Sequence, residues 1–203
     1  MVGRLLTRIA TVSLALFILV VSLIETSSIK YAFGARETAN PHPTPQVDVT
    51  YALPHPGSVM PGNPLWVAKV MRDKVSLKLT LDHERRAGYE LHLADKRLAM
   101  GWELWLKADT NEAIATFEKA EGYLNNAYLT LFESNDFSDS HDFLRQLAYA
   151  SLKHRQVLES VLAESSDEAR PMITKLLDTS KTIYKEASAK MEQLHLNPPA
   201  NPF

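Results

Sequence analysis

The chain has 203 residues, 45% of them hydrophobic and 23% charged, with a net charge of −2. That is the composition of one ordinary globular domain plus an appendage, and it offers no basic face for a nucleic acid. The absence of cysteine excludes thiolate zinc sites, iron–sulfur clusters and thiol nucleophiles, and leaves histidines and carboxylates as the available metal ligands.

The first element is hydrophobic. Residues Ile9 to Ile24 carry no charge, Arg4 and Arg8 precede them, and Glu25 closes the run. A charged start followed by an apolar run is the layout of a secretory signal. The run falls slightly short of the about 20 apolar residues of a full bilayer span. Residues 1–35 are therefore expected to form a hydrophobic helix that serves as signal-anchor or signal peptide. As an anchor it keeps Arg4 and Arg8 cytoplasmic, giving a single-pass protein of the cell membrane with its C-terminal domain extracytoplasmic. The alternative is a secreted protein cleaved after Gly34, since Ala32 and Gly34 are small residues at the required spacing. Their distance from the apolar run favours the anchor.

Residues 36–63 follow as an extended linker. Pro41, Pro43, Pro45, Pro54, Pro56 and Pro61 lie in this stretch, and proline removes amide donors and fixes φ, which excludes regular helix. The second half mixes apolar residues with turn formers and has the means to pack on the domain.

From Pro64 to 196 the pattern is helical. A short helix spans Leu65 to Leu79, and Asp82 can cap the next, which runs from about His83 to Lys107. Leu91, Ala94, Leu98, Trp102 and Trp105 form its stripe. Asp109 and Glu112 have capping-box spacing before a helix carrying Ile114, Phe117, Ala120, Leu124, Ala127 and Leu131. Residues 135–140 read as a turn, with Ser138 or Ser140 as cap for a helix bearing Leu144, Leu147, Ser151, His154, Leu158 and Val161. Ser165 to Asp167 break the pattern, and Pro171 supports a fresh start. The last helix carries Ile173, Leu176, Leu177, Ser180, Ile183, Ala187 and Met191 on one face, and residues 197–203 form a proline-rich tail. The fold expected is all-α: an antiparallel four-helix up-down bundle with a short extra N-terminal helix.

Two stretches carry a family resemblance. Leu53-Pro54-His55-Pro56-Gly57, then Pro61-Gly62-Asn63-Pro64-Leu65-Trp66 with Lys69 and Arg72-Asp73-Lys74-Val75, is one. Glu90 to Ala99 is the other. Together they resemble the DUF5667 family over about residues 51–130. The resemblance implies a mostly helical, secreted or membrane-anchored bacterial protein and brings no activity with it. In physical terms the first motif reads as a docking device. Leu65 and Trp66 are expected against the bundle, with Arg72 and Asp73 pairing with charges on the helix of Glu84, Arg85 and Arg86.

Candidate chemistry is sparse. His92 and Asp95 are neighbours at i, i+3 on one helix, and with His154 they are the candidate metal ligands. The zincin and di-iron spacings are missing, so these residues read more readily as a solvated face and one bonded histidine. His154 stands out because it lies on an apolar stripe, where a buried imidazole must find hydrogen-bond partners. Trp102 and Trp105 read as core or end-of-bundle packing in preference to a ligand groove. Gly101 to Ala120 is similar to part of a tetratricopeptide unit, but no second copy follows, leaving only the packing of a helical hairpin.

These readings converge on a membrane-tethered or secreted extracytoplasmic module for interaction or envelope structure, not an enzyme, with no cofactor. Its partners are the membrane, through the N-terminal segment, and an envelope protein; no nucleic acid is expected. The alternative is a His/carboxylate metal-binding or stress-sensing bundle.

Overall fold

The computed structural model describes residues 48–134, 137 and 140–203. The expected membrane helix within residues 1–35 and the first part of the linker lie outside the described residues, as does Ser138.

Five helices follow one another: α1 (Leu65–Leu79), α2 (His83–Leu106), α3 (Thr110–Glu133), α4 (His141–Ala163) and α5 (Arg170–Gln193). Their starts are set by local chemistry. Pro64 precedes α1, where its missing amide costs nothing. Asp82 caps α2 by accepting the Arg85 amide at 2.8 Å. Asp109 occupies the N-cap of α3 without a side-chain bond to its first turn, so the expected capping box does not form. Ser140 likewise heads α4 without a capping bond. The turn from α2 to α3 is closed by the backbone instead. Ala108 takes a left-handed φ of 61°, and the Asp109 amide reaches the Leu104 carbonyl at 3.0 Å.

The amphipathic stripes bury against one another as an up-down bundle. α2 pairs with α3 and α4 with α5, and the two hairpins meet chiefly through α3 against α5 and α2 against α4. α3 and α4, though consecutive, touch little. The register is legible in two hydrophobic clusters. One joins the start of α2 (Ala87, Leu91, Ala94) and the end of α3 (Leu124, Ala127, Leu131) to the start of α4 and the end of α5. The other joins Leu98 and Trp105 of α2 to Ile114 and Phe117 of α3, Leu158 and Val161 of α4, and Ile173 and Leu177 of α5. Opposite halves of successive helices meet at each end, as antiparallel neighbours require.

Gly101 explains how closely α2 and α3 approach. A Cβ there would lie 2.6 Å from the ring of Phe117, itself fully buried. The small-against-aromatic pairing read from the sequence is thus the packing of this hairpin.

The linker does not stand away from the bundle over its described part. Val49 is buried, Tyr51 and Leu53 are half-buried, and Thr50 and Ala52 between them are exposed. Alternation at period two is that of an extended chain lying on a surface. Side chains of α4 clamp it: Gln156 accepts the Val49 amide at 3.1 Å and Lys153 donates to the Val49 carbonyl at 3.3 Å. The C-terminal tail also folds back, with the Tyr184 hydroxyl donating to the Pro199 carbonyl at 2.6 Å. Among the described residues no helix is long and apolar enough to cross a membrane.

Candidate functional site in the middle layer of the bundle

Between the two hydrophobic clusters lies a polar layer, supplied by residues near the middle of each helix. Asp95 of α2, Glu121 of α3, Ser151 and His154 of α4 and Ser180 of α5 are all buried. Each occupies an i, i+3 or i, i+4 position within an apolar stripe, so helix geometry alone drives it inward. The serines are satisfied locally: Ser151 donates to the Leu147 carbonyl at 2.8 Å and Ser180 to the Leu177 carbonyl at 3.2 Å. The charged groups have no such local option and must find one another.

They do so around the imidazole. His154 Nδ1 lies 2.6 Å from Glu121 Oε1, and Nε2 lies 3.2 Å from Asp95 Oδ1. The other Asp95 oxygen accepts from the Tyr51 hydroxyl at 2.6 Å. One hydrogen-bonded chain thus runs from the linker through α2 and α4 to α3. Burial pushes the imidazole pKa down, but the Glu121 carboxylate, followed by Asp95, outweighs it and holds His154 up from 6.5 to about 9. The ring is therefore a buried cation at neutral pH, donating from both nitrogens. Burial also raises the Glu121 carboxyl against the opposing pull of His154, and its Oε2 is buried without a hydrogen-bond partner. The Tyr51 phenol is raised by burial and then by the Asp95 charge, which keeps it a donor.

This arrangement limits the chemistry. A general base needs a free ring nitrogen, and both are engaged. The two carboxylates flank opposite ends of the ring and do not converge on a common point. Among the described residues, no group of three or more histidines and carboxylates is placed to share a metal ion. What the layer can do is hold a proton and fix the alignment of three helices and the linker.

A second polar contact attaches α1. Asp73 is buried and meets Arg97 of α2 at 3.3 Å, with both side chains nearly inaccessible. Arg72 closes on the other Asp73 oxygen at 2.7 Å. The Arg97 guanidinium lies 4.2 Å from the centre of the Trp66 ring, a cation–π contact. Burial lowers the Arg97 pKa, opposed by Tyr123, whose hydroxyl oxygen accepts from the guanidinium, and by the charge of Asp73.

Of the three candidate metal ligands, the structure joins Asp95 to His154 and leaves His92 exposed on the outer face of α2. The i, i+3 spacing of His92 and Asp95 straddles the edge of the buried stripe. Asp73 reaches the expected helix but bonds Arg97, well beyond Arg86, because Arg97 lies on the face that α1 covers. Trp66 docks as expected, whereas Leu65 is 65% exposed. Trp105 is buried with its indole N–H on Glu164 at 3.0 Å, and Trp102 packs on the same cluster. Glu121 was not singled out by the sequence reading. Its signal is the one that flagged His154: an ionisable residue inside an apolar stripe, here between Phe117 and Leu124.

Residues 58–168 match the model of a family described as a domain of unknown function, DUF5667. No curated protein and no solved structure matches the chain. The match spans more than half of the sequence and contains α1 to α4 with both polar contacts apart from Tyr51.

Proposed function

The chain belongs to the DUF5667 family, and we propose that it is a membrane-tethered, extracytoplasmic helical module that works by contact with an envelope component. The tether is the apolar run Ile9 to Ile24 behind Arg4 and Arg8. The observation that carries the contact role is the outward face of α1. Leu65, Val75 and Leu79, with Leu81 just beyond, are each more than half exposed, the last at 87%. They belong to a helix whose opposite face is held to the bundle by a buried ion pair, a tryptophan and half-buried aliphatic side chains. A solvated row of aliphatic side chains is the mark of an interaction surface.

Membrane fractionation with intact-mass measurement tests this reading. The full-length mass in the membrane pellet, released by detergent and not by salt, is the expected result. A soluble cytoplasmic chain of full length would overturn it, and a secreted chain beginning near Ala35 would replace the anchor by a cleaved signal.

A second reading, a stress-sensing bundle, is favoured by one observation: a buried imidazole between two carboxylates that also holds the linker through Tyr51. Protonation there is coupled to the packing of three helices. The metal-binding form of this reading requires Asp95 and His154 to give up bonds they already make.

A further inference from the structure

The outward face of α1 also suggests what it meets. The helix has two opposed apolar rows. Trp66, Val70, Asp73 and Leu77, spaced by four, three and four, face the bundle and are buried or half-buried. Leu65, Ala68, Val75 and Leu79, with Arg72 between them, follow the same spacing on the other side and are exposed. Arg72, Lys74 and Lys78 rim this second row, all exposed. The single acid of α1, Asp73, is buried toward Arg97 and withdrawn from the outer face. A chain of net charge −2 thus presents here a surface of aliphatic side chains with two lysines, beside an Arg72 whose guanidinium is paired with Asp73. Asp82 and Glu84, at the start of α2, lie beside Arg85, while Arg86 is engaged by Glu90 at 3.2 Å.

Aliphatic side chains flanked by lysines suit the interface of an anionic bilayer: the apolar row enters the acyl boundary while the lysines meet phosphates. We propose that α1 lies on the anionic lipid surface of the membrane to which the chain is tethered. Four aliphatic side chains and two lysines make a weak site alone. The tether raises its effective concentration, so that weak contact suffices. This inference deepens the function proposed above and rests on it.

The test uses the full-length chain, which has no cysteine of its own, so that Leu79→Cys carries a single environment-sensitive dye. The protein is reconstituted into vesicles of phosphatidylcholine alone or mixed with phosphatidylglycerol, and the vesicles are floated. In anionic vesicles the dye is expected to shift to the blue, to lose several-fold of its quenching by aqueous acrylamide, and to gain quenching by a lipid-borne nitroxide. Lys74→Glu with Lys78→Glu, both solvated positions, should abolish these changes, and a dye at Asp178→Cys on the far helix should show none. Equal acrylamide quenching at position 79 in both vesicle types would overturn the proposal while leaving the tether intact. So would a dye already shielded in neutral vesicles or detergent, which would mean that protein covers the face. A chain that does not float with either vesicle would overturn the tether reading itself.

Discussion

Replacing His154 by leucine is expected to destabilise the fold by about 3–5 kcal/mol near neutral pH, because it strands two buried carboxylates that share one cation. The ring donates to Glu121 and Asp95, and all three side chains are all but inaccessible to water. For a domain of this size such a loss lowers Tm by roughly 10 °C or more. The deficit should shrink under acid, where the stranded carboxyls take up protons. The combined variant Asp95→Leu, Glu121→Leu, His154→Leu is the control. It removes the charges together, so its stability should return to within about 1 kcal/mol of the parent or exceed it. A triple variant as unstable as the single one would mean that the layer stabilises through packing that leucine cannot reproduce.

The same site fixes a pH dependence. His154 is raised from 6.5 to about 9 in the folded state. A raised pKa stabilises the form that binds the proton, so the contribution is complete below 6.5 and lost as pH rises through about 9. Linkage puts it at about 3 kcal/mol. Glu121, also raised by burial, acts in the same direction. Denaturation midpoints measured across this window should fall with pH in the parent and lose that fall in the triple leucine variant, where the lowered Lys69 acts in the opposite sense.

Arg97→Met is expected to release α1. The substitution leaves Asp73 only the solvated Arg72 as a partner and removes the guanidinium from the face of Trp66. Breaking such a pair from one side costs about 3–5 kcal/mol when the remaining charge stays buried. Asp73 has an escape, because α1 packs on α2 through few contacts and can undock to hydrate it. The expected outcome is local: amides of residues 65–79 lose hydrogen-exchange protection while those of α2 to α5 keep theirs. A detached helix of this length is marginal in water and frays. Adding Asp73→Leu should restore protection in part, since the stranded charge is then gone. Protection of α1 unchanged in Arg97→Met would show that aliphatic packing, not the ion pair, holds the helix.

The sequence shows the four long helices clearly because each carries one stripe at helical spacing, broken by polar turns or proline. It shows α1 as a helix but hides its role. Two apolar rows on opposite sides read as one diffuse pattern, and only contact with α2 sorts Trp66 and Asp73 inward from Leu65 and Leu79 outward. His154 was conspicuous as a polar residue in an apolar stripe. Its partners were not, since Asp95 and Glu121 come from other helices and the bundle register brings them level. His92 and Asp95 lie apart for a local reason: neighbours on a helix surface can stand on either side of the waterline, and here His92 is exposed and Asp95 buried. The linker's docking depends on Tyr51 meeting a carboxylate that no local pattern predicts.

Support is expected from the inner layer and contact from the outer face of α1, and one labelling experiment separates them. Leu65→Cys is introduced into the full-length chain, and its reaction with an aqueous maleimide is compared between intact cell envelopes and the purified protein. The expected result is protection in the envelope. That protection should persist in the Asp95→Leu, Glu121→Leu, His154→Leu background and disappear with Val75→Glu and Leu79→Glu. Protection lost in the inner-layer variant and retained in the outer-face variant would contradict both expectations.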